Sequence, residues 1–301
     1  MRLKSALRRG VAAAVIAGIV VSSGIPAYAA RWNIADGDIT VEGASDESGN
    51  YNKVKQGDKD FKKDEGETVI TGKSKEHTVT IDTSGGKVDV TFDDLKIDVS
   101  GKKEGDGSDD SPVDAGKAAV TVKGDHDAAI ELDGDNKLKS GSGNAGLEKN
   151  KHESEGTLTI KDDNGKDGSL TAEGGDDGAG IGGGIGSTGS SITIRGGAVE
   201  AVGGSNAAGI GDGAGPWSEP DPDTPPSNPS NPNNIIICGD AEVTAKAGSQ
   251  TTDAKAPAIG GKYGEIPTEN LSDEEHKVTG GRLTRLNADG TVMEGMGYDY
   301  T

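Results

Sequence analysis

Two kinds of residue cluster in this chain could do chemistry. The first is the glycine run Gly178-Ala179-Gly180-Ile181-Gly182-Gly183, which has the G-x-G-x-x-G spacing of a dinucleotide-binding turn. That chemistry requires a strand before the glycines and a helix after them, because the helix N-terminus holds the pyrophosphate. The second is "KDDNGKDG", which gathers Asp162, Asp163, Asn164 and Asp167 on one turn. Hard oxygen ligands on a tight loop suit Ca²⁺, so these four are the candidate metal residues and Ca²⁺ the candidate ion. The same composition also makes an ordinary solvated turn. "DGDN" (133–136) and "EGDGSDD" (104–110) offer the same chemistry.

Other catalytic patterns fail on spacing. Gly72-Lys73-Ser74 resembles the end of a phosphate loop, but Glu67 stands where its first glycine belongs. The four histidines (77, 126, 152 and 276) show no metal-ligand spacing, and there is no G-x-S-x-G elbow. No residue is assigned a catalytic role. Among the aromatics, Trp217 and Tyr263 are the candidate sugar-stacking residues, because they follow equivalent Ile-Gly segments and lie in loops. Phe92 alternates with Val88 and Val90 and belongs in a core.

The elements that must position these residues are short. "ITIRGGAVEAVGGSNAAGIGDG" (192–213) repeats the plan of "LTIKDDNGKDGSLTAEGGDDGAGIGGG" (158–184). "IIICGDAEVTAKAG" (235–248) with "APAIGGK" (256–262) repeats it again. Ile181, Ile210 and Ile259 are equivalent, 29 and 49 residues apart, and the longer interval contains an inserted Pro-rich loop, residues 215–234. Upstream, "VTI", "VDVTFDDLKIDVSG", "AAVTVKG", "AAIELDGDNKLKSG" and "NAGLEKN" are looser copies. Period-2 patterning in pieces this short means strands, and a repeat near 29 residues means a coil in which each repeat is one rung. The expected fold is all-β, a parallel β-helix or β-solenoid over residues 30–264, with a short cap or tail at 265–301. Leu158, Ile160, Leu170, Ile181, Ile192, Ile194, Val199 and Ile210 should face inward. The glycine run is then a corner of the coil, not a nucleotide site.

Composition sets the remaining bounds. Glycine is about one residue in six, and the formal net charge is −20. Residues 1–29 read as a signal peptide, with Arg2, Lys4, Arg8 and Arg9 before an apolar run and Ala27-Tyr28-Ala29 at the cleavage site. General secretion fits it better than the twin-arginine route. Its removal leaves 27 Lys and Arg against 51 Asp and Glu, a net of −24. That balance opposes nucleic acid and anionic lipid as partners. A lone Cys238 in an apolar run excludes a disulfide framework and suits a small buried residue. No membrane span is expected once the signal is removed, and no covalent surface anchor is expected.

These repeats resemble bacterial secreted carbohydrate-binding domain-containing proteins. The residues that carry the resemblance are "WNIADGDITVEG" (32–43), "FDDLKIDVSG" (92–101), "ELDGDNKLKSG" (131–141) and the two Gly-rich copies above. The resemblance implies a right-handed parallel β-helix, an acidic or plant-type polysaccharide or a cell-surface glycan as partner, sometimes through Ca²⁺, and a secreted, non-catalytic role. The alternatives are a structural surface or adhesin module, and a pectate-lyase-like polysaccharide lyase. For the lyase, Arg195 is the basic residue within the repeats.

Overall fold

The computed structural model describes residues 30–47, 49–64, 66–101, 116–165, 167–215, 231–249, 256–261, 264–272 and 277–300. Residues 1–29, most of the Pro-rich loop, "EGDGSDD", Trp217 and Tyr263 lie outside them. The described chain is all-β, apart from two single 3-10 turns at Ile34–Asp36 and Thr268–Asn270. It forms one 13-stranded and one 10-stranded sheet, both long, curled and mostly parallel. Among the described residues no helix is long and apolar enough to cross a membrane.

Three columns of parallel strands account for most of the pairing. The first column is the parallel part of the 10-stranded sheet: Ile39–Asp46, Val79–Asp82, Val120–Lys123, Leu147–Glu148, Ile181–Gly182, Ile210–Gly211 and Ile259–Gly261. The second holds residues 68–71, residues 88–93, Ala128–Asp133, Leu158–Lys161, Ile192–Ile194 and Ile235–Ile237. The third holds residues 96–98, Asp135–Lys139, Ser169–Glu173, Ala198–Val202, Glu242–Lys246 and Arg282–Leu286. Val88–Asp98 joins the second and third columns into one sheet, pairing with Ala128–Asp133 by its first half and with Asp135–Lys139 by its second. The chain visits the columns in the same order on every pass.

Register puts like residues over like. Ile39, Val79, Val120, Leu147, Ile181, Ile210 and Ile259 form one continuous buried ladder in the first column. Burial of each such aliphatic side chain contributes roughly 1.5–3 kcal/mol. The spacings of 29 and 49 residues are therefore spacings between paired strands. The eight residues expected to face inward are all buried, as are Phe92 and Cys238.

Glycine follows the ladder where backbone must approach backbone. Gly182, Gly211 and Gly260 have φ of 136°, 132° and 139°, which L side chains rarely adopt. A Cβ on Gly211 would lie 1.8 Å from the Gly260 carbonyl oxygen. The G-x-G-x-x-G spacing thus belongs to a tightly packed turn between strands, with no helix after it.

The ends of the stack differ from its middle. At the N-terminal end Ile39–Asp46 turns back antiparallel onto Gly49–Gln56, which pairs with Lys62–Asp64. At the C-terminal end Arg282–Leu286 adds a parallel strand to the third column within the span read as a cap. Tyr298–Asp299 then closes it antiparallel. Arg285 stands in register with the buried Ala245 and is itself fully buried. Its guanidinium is held by the Glu265 carboxylate, the Ile266 carbonyl (2.6 Å) and the Thr268 hydroxyl (3.1 Å).

Gly211→Ala should test the close approach. Gly186 has φ of 68° but open space around its Cβ position, so Gly186→Ala should cost only about 1–2 kcal/mol. Gly211→Ala should cost more, because backbone must move as well. Chemical denaturation of both variants reads the difference, and equal losses would contradict the packing.

Candidate functional site

Alternation along the second column sends every other side chain outward, and parallel register aligns those side chains into rows. One row is Asp89, Ala129, Thr159 and Thr193; the next is Thr91, Glu131 and Lys161. These rows floor an open groove of about 540 Å³, which continues past Lys161 to Thr193 and Arg195. The hairpin strand Gly49–Gln56 forms one end wall. It is fixed there by Asn52, whose buried amide donates to Thr68 Oγ1 (2.9 Å) and to the Asp89 carbonyl (2.7 Å). Tyr51, the preceding residue, lines the groove, and Lys63 Nζ lies 4.2 Å from its ring centroid.

The turn after Leu158–Lys161 forms the opposite wall. Glu131 Oε1 accepts from the backbone N–H of Asp163 (2.7 Å) and of Asn164 (3.0 Å). Lys161 Nζ bridges Glu131 Oε2 (3.0 Å) and Asp163 Oδ2 (3.1 Å), and the Arg195 guanidinium binds the same Asp163 oxygen. Burial raises the Asp163 pKa, but the hydrogen bonds and charges of Lys161 and Arg195 outweigh it and hold the carboxyl below its ordinary value. Burial also works against the Lys161 ammonium, yet Glu131 and Asp163 hold its pKa above the usual lysine value. Lys161 stays charged, and Arg195 is a clamp on Asp163.

The four residues read as a Ca²⁺ turn do not converge as ligands. Asp163 is taken by two cations, and Asn164 donates its amide to Asp133 Oδ1. Asp162 Oδ2 accepts from Gly168 N at 3.0 Å, while its Oδ1 is buried without a partner. Asp167, at φ 52°, is exposed and bridges the backbone of Asp133. Among the described residues no three His, Cys, Asp or Glu side chains are placed together as metal ligands, and the turn forms a wall of the groove. Trp217 and Tyr263 lie outside the described residues. The Ile-Gly segments that precede them pair with each other in the first column.

Tyr51, Glu67, Lys87, Asp89, Glu131 and Lys161 also line the groove, and none of them was selected from the sequence as a site residue. Most of them could have been found by extending the repeat alignment upstream and then reading the polar member of each alternating pair.

Two buried ionisable neighbours stand outside the groove. Glu148 occupies the position that pairs with Gly182, and accepts from Ala145 N (3.1 Å) and the Asn150 amide (3.2 Å). Burial pushes its pKa up to about 7 despite the Ala145 hydrogen bond, with the Glu153 charge adding to the rise. Burial pulls Lys149, whose Nζ donates to the Ser154 carbonyl at 3.0 Å, down to about 8.

The sign of each shift gives a testable pH profile. Glu148 binds its proton more tightly when folded, so its contribution to stability falls as pH rises from 4.5 to about 7. Lys149 binds its proton less tightly when folded, so its contribution recovers as pH rises from about 8 to 10.5. These two residues therefore place a stability minimum between pH 7 and 8. Glu148→Gln should flatten the acid limb by an amount on the order of 1–3 kcal/mol in denaturation midpoints converted to free energy. An unchanged limb would show that Glu148 titrates normally.

No family model, curated protein or solved structure matches this chain, so the groove is interpreted from its own geometry.

Proposed function

We propose that this chain is a secreted, non-catalytic polysaccharide-binding protein whose strands wind as a right-handed parallel β-helix. The cyclic order of the three columns, each paired in parallel, supports the coil. Parallel crossovers are right-handed in about 98% of sheets, which supports the hand.

The carrying observation is the groove on the second column. It is open, crosses at least four strands and is lined with carboxylate, ammonium, hydroxyl and amide groups, with Tyr51 at one end. Strands about 4.8 Å apart present such groups at a regular pitch. A linear sugar chain has the complementary character, with rows of hydroxyls and apolar ring faces. The binding reading needs no bound ion, because charged side chains in the walls hold one another. It also assigns no general base, since Lys161 is kept protonated and Arg195 is paired.

A glycan array probed with the exported protein, with Ca²⁺ and again with a chelator, tests this reading. Selective binding that survives chelation is expected. Tyr51→Ala should weaken it by about tenfold, of order 1 kcal/mol for one ring contact, with the β-type circular dichroism unchanged. No binding by a folded sample would favour a structural surface module. Loss of binding on chelation would give Ca²⁺ a role in binding and direct attention back to the turn at 162–167. Unsaturated, ultraviolet-absorbing products released from pectate would favour a lyase.

A further inference from the structure

The charges of the groove indicate which class of polysaccharide it takes. Its described lining carries three cations, Lys87, Lys161 and Arg195, against five carboxylates, Glu67, Asp89, Asp127, Glu131 and Asp163. Every cation already has a carboxylate. Lys87 pairs with Asp127 at 3.3 Å, Lys161 with Glu131 and Asp163 at 3.0 and 3.1 Å, and Arg195 with Asp163. An acidic sugar could reach these cations only by displacing carboxylates tied to the same wall. The two carboxylates left over are Asp89 and Glu67.

These two sit together in the groove floor. Thr68 and Val90 are in register, so Glu67 and Asp89 are the residues just before a paired position on adjacent strands. Asp89 is exposed and makes no side-chain hydrogen bond or ion pair among the described residues. Glu67 is also exposed, and its one hydrogen bond there comes from Thr91 Oγ1 at 2.5 Å. Two exposed carboxylates beside fully paired cations make a cation-selective point in a hydroxyl-binding groove.

We infer that the groove binds an amino-sugar polysaccharide bearing free ammonium groups, with Asp89 and Glu67 as the residues that select the charge. This rests on the polysaccharide-binding reading and narrows it. An ammonium placed between the two gains charge-assisted hydrogen bonds that an acetamido or hydroxyl group cannot match. The net charge of −24 on the exported chain also draws a polycation toward the surface before it docks.

The test compares three oligomers with the exported protein: a β-linked glucosamine oligomer, its fully N-acetylated form, and oligogalacturonate. Mildly acid pH keeps the ligand amines and the groove carboxylates charged, and physiological salt suppresses distant charge attraction. The glucosamine oligomer should bind about tenfold or more tighter than its acetylated form. The double variant Asp89→Asn with Glu67→Gln should abolish that preference and leave binding of the acetylated form intact.

A control double variant, Glu200→Gln with Glu269→Gln, removes two exposed carboxylates outside the groove and should change nothing. Equal loss in both double variants would mean general surface attraction and overturn the inference. Tighter binding of the acetylated or the acidic oligomer would also overturn it, while leaving the polysaccharide reading in place. Failure of all three oligomers, together with a silent glycan array, would remove the polysaccharide reading itself.

Discussion

Each pass of the chain must hydrogen-bond in parallel to the pass before it, and most features of this structure follow from that requirement. Parallel pairing fixes which residue lies over which, so one unsuitable side chain in an inward position would disturb two neighbours. The seven-membered ladder from Ile39 to Ile259 is the apolar solution to this constraint. Gly182, Gly211 and Gly260 are the steric solution, because their Cβ positions would fall on backbone of the following pass or of the closing turn. Two buried charged residues depart from this pattern. Glu148 takes the position of Gly182 one pass earlier, and Arg285 ends an inward row of Ala172, Ala201 and Ala245. Each has local partners: Ala145 and Asn150 for the former, Glu265, Ile266 and Thr268 for the latter. A buried arginine left without its carboxylate would cost several kcal/mol, so Glu265 and Arg285 form one unit.

The same register builds the groove. Once inward residues are stacked, the outward ones are stacked too, and charges in adjacent passes come within pairing distance. Glu131, Lys161, Asp163 and Arg195 form a network because they occupy neighbouring outward positions at one corner. The backbone N–H groups of Asp163 and Asn164 complete it by donating to Glu131. Side chains in such a network have already lost part of their conformational freedom, so the wall they form is pre-ordered.

The middle of the stacked sheets was more legible in the sequence than their ends. The Ile-Gly segments and the "LTI", "ITI" and "III" pieces align by eye, and their spacings equal the strand register, since both express one steric requirement. The hairpin carrying Tyr51 was not legible. Its strands Gly49–Gln56 and Lys62–Asp64 are largely polar, with little apolar alternation to mark them. Arg285 was illegible for another reason: the pattern "RLTRL" gives no sign that an arginine points inward, and its partner Glu265 lies twenty residues away. The turn at 162–167 shows the limit of composition. Its carboxylates suit a cation, but which cations lie beside them depends on the neighbouring strands, and Asp163 meets Lys161 and Arg195 there.

Connectivity also gives the Pro-rich insertion a place in this scheme. The hairpin bearing Tyr51 leaves the coil after the first column and re-enters at the second, between Ile39–Asp46 and Thr68–Ser74. The insertion leaves at the same corner, between Ile210–Gly211 and Ile235–Ile237. Its return is anchored by Asn231, which binds the Ile235 backbone through both its amide nitrogen and its carbonyl oxygen. Ile235–Ile237 pairs with Ile192–Ile194, whose Thr193 lines the far end of the groove. The described ends of both excursions therefore lie between the first and second columns, where a change of length alters no inward row. Strands held in strict register leave only such corners and the outward rows free to vary.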